Sequence, residues 1–173
     1  FSYWWHRLQH RVPALWVTHK LHHSDPDLGV TTTMKEHPVS FILRIFVIAM
    51  PMAVLFSLTT VSAFAAAFGV RLYGNFVHAN IDCHFGWLNR LLTSPNQHRL
   101  HHSILPRHRD KNFATYFSCF DVLFGTYQEP EREAPPTGLE SGETYPSLLG
   151  AFLQPFRDWW HMWTTWRLQP QRQ

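Results

Sequence analysis

Residues 38–70 read PVSFILRIFVIAMPMAVLFSLTTVSAFAAAFGV, and from Val39 to Val70 the only charged side chain is Arg44. A helix needs about 20 apolar residues to cross a hydrocarbon layer of about 30 Å. The run exceeds one such span and is roughly long enough for two shorter, tilted helices. Pro51 and the Ser57–Thr60 region are the candidate breaks. The reading adopted is a transmembrane helical hairpin, roughly 38–55 and 59–80. A hairpin returns the chain to the side it left, whereas a single span would separate the two polar flanks. The alternative is a hairpin buried in a soluble core, which fits poorly with so unbroken a run.

Working outward, residues 1–24 (FSYWWHRLQHRVPALWVTHKLHHS) space their apolar side chains helically on either side of Pro13. Proline is tolerated in a first helical turn, so two short helices are expected to meet near residues 11–13. Residues 25–37 are polar and turn-rich. Residues 81–128 mix short helices and loops, with Ser94 and Pro95 as an N-cap and first turn. Residues 129–147, rich in Pro, Glu and Gly, read as a linker, and 148–173 as an amphipathic helix and tail. That helix suits either a membrane interface or packing on the parent domain. The fold class is therefore all-α and membrane-embedded, the hairpin carrying a cytosolic helical cap on which the polar flanks meet.

Composition adds one anomaly. The formal charge of +3 is small for 173 residues and suits an anionic membrane surface as well as nucleic acid, so it decides nothing alone; no nucleic-acid partner is expected from the reading as a whole. Two isolated cysteines, Cys83 and Cys119, give no disulfide framework and no CxxC metal motif. The anomaly is the thirteen histidines, which are clustered. HRLQH places His6 and His10 at i,i+4; HKLHH places His19, His22 and His23 at i, i+3, i+4; HRLHH repeats that spacing with His98, His101 and His102; and His78 stands in NFVHAN. On a helix these spacings share one face. Neutral imidazole ligates iron, zinc and copper. Nine imidazoles exceed the four ligands of a tetrahedral zinc and suit two metals at four or five each. His37, His84, His108 and His161 lack the spacing and read as ordinary surface or core histidines. The chain lacks the ExxH pairs of ferritin-like carboxylate sites, HExxH, GxSxG and Gly-rich phosphate loops.

Taken in order, YWWHRLQH, LWVTHKLHHS, HAN, TSPNQHRLHHS and DKNFATYFSCFDVLFGTY resemble the motifs of the fatty acid hydroxylase/sterol desaturase superfamily of integral-membrane di-iron enzymes. The resemblance covers roughly residues 1–128, read as the catalytic domain. It implies His6, His10, His19, His22, His23, His78, His98, His101 and His102 as metal ligands. Some relatives carry a further histidine beyond the third motif; here Asp82 stands there, so a water, Asp82 or Asn80 is left as a tenth ligand. Asp110 and Asn112 are candidates for groups behind the ligands, with a cap or turn role as the alternative. The superfamily's usual N-terminal membrane helices do not precede the first motif, so an N-terminally truncated domain is expected.

The resemblance further implies two Fe ions, with zinc a substitute in purified protein, and O2 as co-substrate. The implied reaction is O2-dependent hydroxylation or desaturation of a lipid C–H bond, with no catalytic residue beyond the metal centre. It implies an external electron donor (a cytochrome, ferredoxin or reductase) and a lipid substrate drawn from the bilayer. The His motifs are expected on the cytoplasmic side of a bacterial inner membrane or endoplasmic reticulum. Arg7, Arg11, Lys20, Arg99, Arg107 and Arg109 suit either docking of an acidic donor or the positive-inside face. Two rival classes remain: a zinc-dependent membrane hydrolase, and a non-catalytic metal-binding membrane protein.

Overall fold

In a computed structural model, which describes residues 1–131 and 133–168, all regular structure is helical. The one β-type contact among the described residues is an isolated bridge between Ser103 and Thr137. Helix α1 (Ser2–Arg11) ends at Val12, whose extended backbone turns the chain into α2 (Pro13–His23), with Pro13 in the first turn. The two helices pack on each other, so the histidines of both reach one space.

The apolar run forms α3 (Pro38–Leu55) and α4 (Thr60–Val77). His37 caps α3: its Nδ1 accepts from the Val39 amide at 3.3 Å. Pro51 does not break α3. Its ring would collide with the carbonyl one α-turn earlier, and the preceding segment Ile45–Ala49 widens into a π-helical turn, so the helix continues. The reversal falls at Phe56–Thr59, where Ser57 takes a positive φ of 47° and the Thr59 hydroxyl caps α4 through the Ser62 amide. The ends of the excursion lie side by side: Thr33 Oγ1 donates to Asn75 Oδ1 at 2.8 Å, and Arg71 donates to the Thr33 carbonyl at 3.2 Å.

Among the described residues α3 is the one helix long and apolar enough to cross a membrane, and only 6% of it is covered by protein. Phe46, Val54, Phe56, Val61 and Phe64 all stand exposed. The interior shows the reverse pattern, with buried polar side chains outnumbering buried apolar ones. A small aromatic cluster of Tyr3, Phe113 and Ala114, with Phe124 against it, supports α1.

Helix α5 (Pro95–His101) starts as its sequence predicts, Ser94 Oγ accepting from the Gln97 amide. Helix α6 (Cys119–Leu123) is a short turn before Gly125, whose φ of +71° favours glycine. The segment 129–147 is tied down at several points. Glu131 pairs with Arg107 and His108, the Pro136 carbonyl accepts from the Ile104 amide, Thr137 donates to the Pro26 carbonyl, and Glu143 pairs with Lys20. Helix α7 (Leu148–Leu168) then lies on α2, where Asp158 meets Lys20 at 2.6 Å and the Trp159 indole donates to the Ala14 carbonyl at 2.8 Å. The tail from 169 onward lies outside the described residues.

Candidate metal centre

The nine spaced histidines converge from four helices. Ligating nitrogens of His6, His10, His19, His23 and His101 form one group, all within 4.8 Å of one another, and those of His22, His78, His98 and His102 form a second. Helix α1 supplies two rings, α2 three and α5 with its C-cap three, while His78 is the C-cap of α4. The HxxHH spacing is what divides the groups: His19 and His23 face one centre while His22, off their line, faces the other. The groups adjoin, the His23 and His102 rings stacking at 4.2 Å between centroids.

The orientation of the rings is set by backbone carbonyls. Nδ1 of His6 lies 2.6 Å from Phe113 O, that of His22 3.1 Å from Thr32 O, that of His78 2.7 Å from Gly74 O, and that of His101 2.8 Å from Lys111 O. A carbonyl only accepts, so in these four rings Nδ1 carries the proton and Nε2 of the neutral ring is a bare lone pair. Yet Nε2 of His6 and His101 face each other at 3.0 Å, and Nε2 of His22 and His78 at 3.1 Å. Two lone pairs at that distance repel; a shared cation reverses the sign.

Protonation is not a substitute for that cation. Burial pushes His6 and His78 down to about 4 from 6.5. Burial and the neighbouring imidazoles hold the other seven well below the ordinary range. The spacing also matches a metal. Ligands about 2.1 Å from one ion lie about 3.0 Å apart at right angles and about 3.4 Å apart in a tetrahedron. The closest Nε2 pairs span 2.9 to 3.2 Å in both groups, nearer to the right-angle value. His10 Nε2 and His98 Nδ1 are buried without a hydrogen-bond partner. The donor set fits two metal ions, with five imidazoles for one and four for the other, and no carboxylate belongs to either group.

The candidates for supporting roles are placed differently. Asn80 and Asp82 are exposed and accept from Arg99 and Asn96; neither joins a group. Asp110 pairs with Arg11 at 3.5 Å. Asn112, buried at a positive φ of 54°, clamps the Gln128 backbone with both ends of its amide, and its side chain touches no imidazole. The residues on either side of it, Lys111 and Phe113, supply the carbonyls for His101 and His6. Sequence reasoning missed these acceptors because every residue type carries a carbonyl. It also gave Asp121 no role. That residue is buried and accepts from the Phe113 and Ala114 amides and from Thr126.

The remaining histidines stand outside both groups. His37 caps α3, His108 pairs with Glu131, and His84 and His161 are exposed. A cavity of about 600 Å³ opens onto His10, His23 and His101, with Trp16, Leu139 and Met162 among its walls. Of the six basic residues near the motifs, Arg11, Lys20, Arg107 and Arg109 are paired with carboxylates.

Comparison with known proteins identifies the family. The fatty acid hydroxylase family model matches residues 1–126. Human alkylglycerol monooxygenase is 31% identical over 94% of this chain and 36% of its own length. The ornithine lipid hydroxylase of Rhizobium tropici is 29% identical over 87% of the chain and 45% of its own, and a Delta(7)-sterol 5(6)-desaturase of Gibberella zeae is 28% identical over 78% and 40%. The chain thus spans less than half the length of these curated relatives. No solved structure matches it significantly. With the family model covering all nine histidines of the two groups, the chain belongs to the fatty acid hydroxylase family.

Proposed function

We propose that this chain is the catalytic part of a membrane enzyme that oxidises a lipid C–H bond with O2 at a histidine-ligated di-iron centre. The observation that carries the reading is the pairing of lone pairs: His6 with His101, and His22 with His78, each ring fixed as the Nδ1–H tautomer by a carbonyl. Five imidazoles would hold one iron and four the other. When bound, the irons supply the activation of O2 and the oxidation of an unactivated C–H bond. The chain's own residues orient the ligands through the four carbonyls and keep the rings neutral by burial. Helix α7 and the segment around Leu139 wall a cavity, partly lined by charged side chains such as Lys20 and Asp158, that reaches His10, His23 and His101. No acid or base from the protein is required, and the electrons come from an external cytochrome, ferredoxin or reductase.

The bare surfaces of α3 and α4, and the contact of Thr33, ahead of α3, with Asn75 near the end of α4, support a hairpin in the bilayer with the His motifs together on one side, taken as cytoplasmic. Helix α7 is proposed to lie in the interface. His37, at the foot of α3, donates to the Phe152 carbonyl, and Phe152, Phe156, Trp160 and Trp163 form an exposed ridge leading away from it. The substrate would be a bilayer lipid. Hydroxylation is favoured over desaturation, because the relatives named a monooxygenase and a hydroxylase align over 94% and 87% of the chain and the desaturase over 78%.

Metal analysis and Mössbauer spectra of the full chain, purified in detergent from iron-supplemented cells, test this reading. Two irons per chain are expected, with O2 uptake on reduction. A single zinc that persists despite the iron supply, with no O2 uptake, would overturn it.

A further inference from the structure

Asp121 is buried and, among the described residues, makes no ion pair, although a carboxylate buried without a cation is costly. Every one of its contacts is a donor. Oδ1 accepts from the Phe113 amide at 2.8 Å and the Thr126 hydroxyl at 2.7 Å, and Oδ2 accepts from the Ala114 amide at 2.8 Å. The Ala114 N–H and the Phe113 C=O belong to one peptide group. That same carbonyl takes the proton of His6 Nδ1 at 2.6 Å, the shortest of the four imidazole–carbonyl contacts.

We infer that Asp121 is a positioning residue for one of the two metals, its charge reaching His6 through the single peptide group that joins Phe113 to Ala114. The inference rests on the di-iron reading above. A carboxylate at the N–H end polarises the peptide, makes its oxygen a stronger acceptor, and so makes His6 Nε2 a stronger electron donor. It performs at one remove what a carboxylate bonded directly to a ligand imidazole does. Nine neutral ligands leave the positive charge of the metals uncompensated, and Asp121 supplies an anion close to the site without occupying a ligand position. The effect is one-sided. His101 rests on the Lys111 carbonyl, whose peptide passes its N–H to the neutral Thr126 carbonyl at 2.9 Å. His78 rests on Gly74 within α4. Of the carbonyls that hold His6, His78 and His101, that of Phe113 belongs to the peptide whose N–H meets a carboxylate, and His6 lies in the five-imidazole group.

The test compares the wild-type chain with Asp121→Asn, both loaded with iron-57. The asparagine keeps the shape but turns an NH2 toward the Ala114 amide, donor against donor. The iron in the five-imidazole group is expected to bind about 10- to 100-fold more weakly in chelator competition. Its Mössbauer doublet should change and its midpoint potential rise, while the second doublet stays. Two unchanged irons in D121N, or equal loss of both from a chain with wild-type circular dichroism, would overturn the inference. Thr126→Val gives an independent readout should D121N not fold. Removing one donor leaves more of the carboxylate's charge on the Ala114 amide, so the potential should move down, and an unchanged or raised potential would count against the relay. A wild-type chain without two irons fails the di-iron reading and the relay with it, whereas a normal wild-type centre with an indifferent D121N fails the relay alone.

Discussion

A neutral imidazole has one proton and two nitrogens to put it on, and much of this protein's interior is organised around that choice. His101 fixes its proton on the Lys111 carbonyl, meets His6 through Nε2, and lines the cavity. His101→Ala should therefore abolish turnover and reduce bound iron to one per chain or fewer, as read by metal analysis of the folded variant. Retained activity with full metal content would remove His101 from the ligand set. The depressed imidazoles also give a pH dependence. A histidine that is neutral in the fold and has its pKa lowered contributes stability that is fully present above the unfolded value. The contribution is lost as pH falls, because the unfolded chain then takes up more protons. For His6 and His78 the window runs from 6.5 down to about 4. The melting temperature of the metal-free chain should fall steadily across that window, and protons should compete with iron in the same direction. A flat profile would mean that the rings are solvated in solution.

At the level of elements, the sequence discloses what depends on side-chain spacing. Pro13 and Ser94 with Pro95 emerge where their pattern places them, whereas the three rings of each HxxHH, expected on one face, divide between the two groups. What depends on the main chain stays hidden: the π-helical turn before Pro51 keeps α3 whole, and the Lys111 and Phe113 carbonyls orient two ligands. The segment 129–147 carries contacts that its sequence does not disclose, for a related reason. Its Pro, Glu and Gly content reads as a linker, but its glutamates find Arg107, Arg109 and Lys20, three distant cations that no local pattern relates to them. Lys20 is the clasp, holding Glu143 and Asp158 and so joining α2, the segment and α7. Lys20→Met should loosen this strap by about 1 kcal/mol, roughly fivefold in the opening equilibrium. Limited proteolysis between 138 and 147 would report it as faster cleavage, with helix content unchanged. Cleavage at the wild-type rate would show that the contacts of α7 suffice without the clasp.

For the molecule as a whole, apolar side chains lie outside and polar ones inside, which suits a body whose lower part is wetted by lipid. A hairpin reading makes a topological prediction. In a chain with Cys83 and Cys119 replaced by serine, Ser57→Cys should react with an impermeant thiol reagent from one side of sealed vesicles. Asn80→Cys should react only from the other side. Labelling of both from the same side would rule out the bilayer-crossing hairpin. The four carbonyl anchors have a consequence for how such a protein can change over time. Thr32, Gly74, Lys111 and Phe113 hold ligand rings by an atom that any replacement residue would also bring. As far as that atom is concerned, mutation at these positions is silent. The surfaces that meet substrate or membrane are thus free to drift and diversify around a centre whose supports are not encoded by side-chain identity.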